Sequence, residues 1–192
     1  MQFNHTAQFL TDIFVTLINF YSLILVLRVW LRLANVDYYN PLSQFVVKLT
    51  APIIAPLHKI FPTVKNLETA SLMLIFLLGS AKFLFLALAF NDEIELQPIG
   101  ALLLGALSLI KNIGVAIFYV LIASAISSWF NRGNNAIFYA LYQLNEPLLH
   151  PIRRFLPTLG AIDFSPMVIM FILLFLNRFF MDLFNAYWII AG

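Results

Sequence analysis

With 62% of its 192 residues hydrophobic and only 10% charged, this chain cannot cover its surface with polar groups in water, where roughly 25% charged residues is usual; lipid must be the solvent for most of it. The net charge of +2 is small, so the placement of basic residues matters more than their sum, and no nucleic-acid partner is expected. The absence of cysteine excludes disulfides, thiolate metal sites, iron–sulfur clusters and covalent haem attachment.

The N-terminal stretch MQFNHTAQFLTD has no Lys or Arg and no small-residue cleavage site, and reads as an uncleaved start. The apolar run Ile13 to Leu31, closed by Arg28 and Arg32, predicts a first span over about 10–33, with the helix starting near Ala7. Asn35 to Asn40 breaks it, and Asn40-Pro41 predicts an N-cap followed by proline in the first turn. From there to Pro62 the apolar residues Leu42, Phe45, Val46, Leu49, Ile53, Leu57 and Ile60 recur at helical spacing, with Ser43, Gln44, Lys48, His58 and Lys59 largely on the other side. The pattern predicts an amphipathic helix over 41–62 that is too polar to span, lies at the membrane interface and is broken or bent by Pro52 and Pro56. A second span follows at about 70–90, with Thr69 or Ser71 as its cap and Lys82 inside it, and then an acidic turn, Asn91 to Glu95.

Pro98 to Phe130 is apolar for 33 residues, about 50 Å as a helix. One long helix, projecting beyond the lipid or kinked near Gly114, is favoured over a separate re-entrant segment at Ile99 to Ile110. Ala116, Ala123 and Ser127 share one face of it, as do Ser124 and Ser128, and small residues at such spacing let helices approach closely in lipid. A second amphipathic segment over 136–157 carries Pro147 and Pro151. Ser165 as cap and Pro166 then open a last span at 167–190, which holds Asn177, Arg178, Asp182 and Asn185.

Two stretches repeat. A shift of 95 residues places Pro52 on Pro147, Pro56 on Pro151, Pro62 on Pro157, Lys59 on Arg154, Thr63 on Thr158 and Glu68 on Asp163. The expected fold is therefore an all-α integral membrane protein of four spans in two parallel repeats, 1–95 and 96–192, each a transmembrane helix, an amphipathic interfacial helix and a transmembrane helix. Arg28, Arg32, Lys48, Lys59 and Lys65 in the first amphipathic loop, and Arg132, Arg153 and Arg154 in the second, place both loops in the cytoplasm and both termini outside. An even number of spans per repeat makes the repeats parallel, related by an axis near the membrane normal.

YYNPLSQFVV (Tyr38 to Val47) and EPLLHPIRR (Glu146 to Arg154), followed by IDFSP, resemble the YggT (YlmG) family of small bacterial inner-membrane proteins, over nearly the whole chain. The resemblance implies a multi-pass inner-membrane protein linked to osmotic-shock tolerance, potassium handling and placement of division or nucleoid machinery. Plastid relatives are linked to haem assembly on cytochrome b. The chain departs from the family pattern at His150, where Arg is common, and in its first repeat, where His58 stands opposite Arg153.

Three sets of residues stand out. Arg153 and Arg154, with Lys59 in repeat 1, read as anchors on anionic lipid headgroups, as a docking patch for an acidic membrane or cytoplasmic protein, or as internal clamps, Arg154 onto Asp163 and Lys59 onto Glu68. Asp163, Ser165 and Pro166 are explained locally by a helix start. Lys82, Arg178 and Asp182 lie at membrane depth and should face the bundle interior, with Asp12 and Lys111 a further pair; they read as structural pairing or as an ion path. His5, His58 and His150 lack ligand spacing, so no metal or cofactor is expected, and no P-loop, GxSxG or nucleophile–base pair suggests an enzyme. The expected function is a non-enzymatic membrane factor organising partners at the cytoplasmic face; the alternative is a small ion conductor or its modulator, requiring a homo-oligomer.

Overall fold

The computed structural model describes residues 2–89, 97–130, 135–155 and 163–192. The acidic turn Asn91 to Glu95, Arg132 and Pro157 lie outside the described residues, as do the side chains of His5 and Ser128. Among the described residues seven helices follow in order: α1 (Gln2–Leu33), α2 (Pro41–Leu57), α3 (Thr69–Ala89), α4 (Pro98–Phe130), α5 (Ala136–Phe155), α6 (Ser165–Phe184) and α7 (Ala186–Ile190). Four of them hold stretches long and apolar enough to cross a bilayer: Gln8–Leu33, Thr69–Ala89, Pro98–Ser127 and Ser165–Phe184.

α4 is one unbroken helix at the centre of the bundle, touching α1, α3, α5, α6 and α7. Its closest neighbour is the antiparallel α3, and glycine is the cause. A Cβ on Gly105 would lie 2.8 Å from the Phe76 carbonyl oxygen, and one on Gly79 would lie 2.7 Å from Ser108 Cβ. Without a hydrophobic drive between helices in lipid, such close backbone approach is what gains van der Waals energy. The small residues expected to make close contact lie nearer the other end of α4. Of these Ala116 is buried, in a cluster with Leu25, Val26, Ile54, Ala70 and Ile75.

α2 begins as its sequence predicts: Asn40 is extended (φ −63°, ψ 134°) and its Oδ1 accepts from Leu42 N at 3.0 Å. Asn40 Nδ2 donates to the Ala136 carbonyl at 2.6 Å, which ties the start of α2 to the start of α5. The helix buries Ser43, Val46, Thr50 and Ile54 and exposes Phe45, Leu49 and Ile53. Ile54 packs with Leu25 and Ile75, eight residues before the end of α1 and six after the start of α3. At 1.5 Å per residue these lie about 9–12 Å inside those helix ends. α2 is therefore wedged beside the terminal turns of α1 and α3 instead of resting above them.

Two expectations are corrected here. Of the break or bend expected at the prolines, the break is excluded: α2 runs on through Pro52 and Pro56, and α5 through Pro147 and Pro151. Each pair is four residues apart and exposed on the outer face, so the carbonyls left without a helical donor turn outward and the buried stripe keeps its ladder. The last span ends at Phe184, not 190, because Asn185 adopts φ 46° and ψ −116° and turns the chain into α7. Trp188 of α7 then stacks on Phe180 at 4.7 Å and donates Nε1–H to Asn177 Oδ1 at 2.9 Å.

Candidate functional site

At the end of the bundle that holds α2 and α5, Glu68 is almost wholly buried and surrounded by donors. Arg28 of α1 forks onto it, Nε to Oε2 at 2.7 Å and Nη2 to Oε1 at 2.9 Å. Ser71 Oγ donates to Oε2 at 2.6 Å, and His58 Nε2 lies 2.9 Å from Oε1. Arg32 approaches Oε1 at 3.6 Å. The remaining arm of Arg28, Nη1, donates to Thr50 Oγ1 at 2.7 Å, and Thr50 in turn donates to the Val46 carbonyl at 2.7 Å. One carboxylate thus joins α1, α2, the turn after α2 and α3. A cleft of about 280 Å³, lined by Arg28, Arg32, Tyr38, Ser43 and Glu68 among others, opens beside it.

A smaller copy of this arrangement lies before α6. Arg153 at the end of α5 donates Nε to Asp163 Oδ2 at 2.9 Å and Nη1 to Glu146 Oε2 at 2.8 Å. Asp163 Oδ1 accepts from Ser165 N at 2.9 Å, so the helix start is capped by Asp163, and Ser165 is the first helical residue and not the cap. At the start of α3 likewise, Ser71 binds Glu68 and Thr69 Oγ1 donates to the Pro62 carbonyl, so neither acts as the expected cap. The expected clamps are corrected by one residue. Lys59 and Arg154 point outward, Arg154 Nη2 lying 2.9 Å from His150 Nε2, while His58 and Arg153 hold the acids. The reason is angular: Arg153 near the end of α5 and His58 in the αR turn after α2 are directed at the carboxylates, and the next residue lies about 100° further round.

Arg28 and Thr50 were missed as site residues. The available signal was that Arg28 lies inside an apolar run, where a cation needs a carboxylate, and Glu68 is the acid nearest the next helix start.

Burial acts to raise the Glu68 pKa, but hydrogen bonds from Arg28 and Ser71, the Arg28 charge and His58 outweigh it and hold the carboxyl below its ordinary value. Asp163 behaves the same way, burial being outweighed by the Ser165 bonds and Arg153. Depressed carboxylates contribute stability that is fully present above their unfolded pKa, about 4, and lost as pH falls through the folded values. Acidification below about pH 4 is therefore expected to lower the unfolding midpoint in detergent or bicelles, and Glu68→Gln should flatten that dependence. An unchanged pH profile in Glu68→Gln would remove Glu68 from this role.

The intramembrane charges lie further along the bundle. Lys82 is buried, as expected, but its partner is Asn19, with Nζ donating to Oδ1 at 2.7 Å. Lys111 does not pair with Asp12, which is exposed. Its Nζ donates to the carbonyls of Trp188 at 2.5 Å and Ile189 at 3.4 Å, closing the C-terminal end of α7. Arg178 and Asp182 pair with each other at 3.3 Å but face outward, against the expectation that they turn into the bundle. The reason is that the inward face of α6 is taken by Ile169 and Leu173 against α4, and by Phe180 against Trp188.

Four apolar spans, two helices wedged beside them and two carboxylates locked at one end define a small all-helical membrane-spanning protein. The CCB3/YggT family profile matches residues 7–89 and 103–184, and the chain belongs to that family. It is 56% identical over 193 residues to an uncharacterized protein of Haemophilus influenzae, covering 100% of both chains. It is 44% identical over 168 residues to the uncharacterized protein YggT of Escherichia coli K12, covering 88% of this chain and 87% of that one. It is 35% identical over 152 residues to the uncharacterized protein PA0392 of Pseudomonas aeruginosa, covering 79% and 77%. No solved structure matches it.

Proposed function

We propose that this chain is a non-enzymatic bacterial inner-membrane factor that organises or assembles membrane-associated partners at the cytoplasmic face, with a place in osmotic and potassium tolerance. One observation carries the reading. At the α2/α5 end, Arg28 and Arg153 neutralise internal carboxylates, whereas Lys48, Lys59, Lys65 and Arg154 are exposed with no carboxylate in ion-pair range among the described residues. This end thus presents free cations, which by the positive-inside rule belong in the cytoplasm and both termini outside. Exposed cations near a bilayer recruit anionic headgroups or acidic protein segments. The reading includes two copies of one span–helix–span unit, supported by His58–Glu68 and Arg153–Asp163, which lie 95 residues apart like the prolines.

Because Arg153 is already paired to Glu146 and Asp163 of the same chain, the test separates it from the unpaired cations. Lys59→Glu with Arg154→Glu is expected to abolish in vivo crosslinking to partners at introduced loop residues while leaving insertion and thermal stability unchanged. Crosslinking that persists would sink the recruiting role.

The ion-conductor reading would need an open polar path. Lys82 is sealed by Asn19 and Lys111 by the carbonyls of α7, which favours structural roles for both. Sealed proteoliposomes are expected to pass potassium and protons no faster than empty vesicles. A flux that Lys82→Met alters would put conduction ahead.

A further inference from the structure

Arg178 and Asp182 face away from the bundle, with side chains 74% and 62% exposed. Arg178 lies 13 residues beyond Ser165, the first residue of α6, about 20 Å along the helix in a hydrocarbon core about 30 Å thick. Ionisable side chains at that depth face protein or water and are paired and hydrogen-bonded. Among the described residues the Arg178 guanidinium has only the 3.3 Å contact with Asp182. α6 is also the least covered span: 6% of its apolar window is buried inside the protein, against 33% for α1 and α3. Its outer face carries Phe171, Phe175, Arg178 and Asp182, all exposed and spaced four, three and four residues apart. That is the spacing of the seam in a left-handed parallel helix pair.

We propose that α6 packs against α6 of a second copy of this chain, in a two-fold dimer whose axis runs along the membrane normal, with Arg178 of each copy paired to Asp182 of the partner subunit. The charge pattern selects the occupant. Copies inserted in the same orientation can bring their α6 helices together only in parallel, and a two-fold contact requires a face that complements itself. An Arg and an Asp one turn apart meet that requirement, because each copy supplies the positive charge to the other's negative one. A partner without this pattern would leave two charges half-covered against lipid. Between helices in a bilayer, polar pairs of this kind and close packing hold the contact in place of the hydrophobic effect. The dimer stands apart from whatever the opposite end recruits.

The chain has no cysteine, so single cysteines report contacts cleanly. In liposomes at high lipid-to-protein ratio, Phe175→Cys is expected to give oxidised dimer about tenfold more efficiently than Phe20→Cys, which is also exposed, on α1. Adding Arg178→Asp to the Phe175→Cys chain should abolish the dimer, and adding Asp182→Arg instead should do the same. Mixing those two chains should restore it as a heterodimer, which pairing within one chain cannot produce. Circular dichroism of each variant confirms that the helices persist. Equal crosslinking at Phe20 and Phe175, or no rescue on mixing, would overturn the proposal. So would a crosslink at Phe175 in cell membranes to a different protein with no dimer in liposomes.

Discussion

Replacing Arg28 by Leu is expected to destabilise the fold by about 3–5 kcal/mol, the usual cost of breaking a buried ion pair by removing one partner. Glu68 is only 1% exposed, and Arg28 contributes two of its hydrogen bonds as well as the one to Thr50. His58, Ser71 and the more distant Arg32 remain, so the loss should fall short of complete unfolding. Arg28→Leu/Glu68→Leu should recover part of it, because removing both charges leaves no uncompensated carboxylate. Unfolding in bicelles, measured for both single variants and the double, gives the coupling directly. Losses that simply add would mean that the pair is not the hub described here.

The second large effect belongs to α3 and α4. Gly105→Ala should cost about 1–3 kcal/mol through overpacking, and Gly105→Leu more, because the new side chain meets the Phe76 carbonyl and Ser80 rather than a flexible tip. Backbone cannot yield there without separating the two helices. A cysteine pair across α3 and α4 should lose its crosslinking efficiency in Gly105→Leu, whereas Gly114→Ala, with 3.9 Å to the nearest atom, should leave both stability and crosslinking intact. A neutral Gly105→Leu would show that this packing is looser than the contact distances imply.

Arg28 and Lys82 illustrate how far one dimension reaches. Both are cations in apolar runs, and their need for a partner is visible from composition alone. The partner's identity is not: Lys82 found Asn19, 63 residues away, and Arg28 found Glu68, 40 residues away. The 95-residue offset pairs Glu68 with Asp163 in sequence, and each of these acids holds a cation one residue away from the one expected. Lys59 and Arg154 match His58 and Arg153 in sequence spacing to within one residue, but a single residue step at helical dihedrals turns a side chain by about 100°, away from the carboxylate.

What the sequence by itself determined was solvent, the number of spans and family. Those rest on quantities carried along the chain: apolar run lengths near the thickness of a bilayer, the Asn40-Pro41 start, the prolines and the motif around Arg153. Tertiary structure alone decided three things: that the proline-bearing helices stay unbroken and wedge beside the spans, which carboxylate meets which cation, and that Arg178 and Asp182 look outward. The physical reason is common to all three. A helix presents every residue at some angle, and which angle becomes interior depends on the neighbouring helix and on glycines such as Gly79 and Gly105 that set its approach. Local periodicity is weak in spans that are apolar all round, so only packing reveals the buried side.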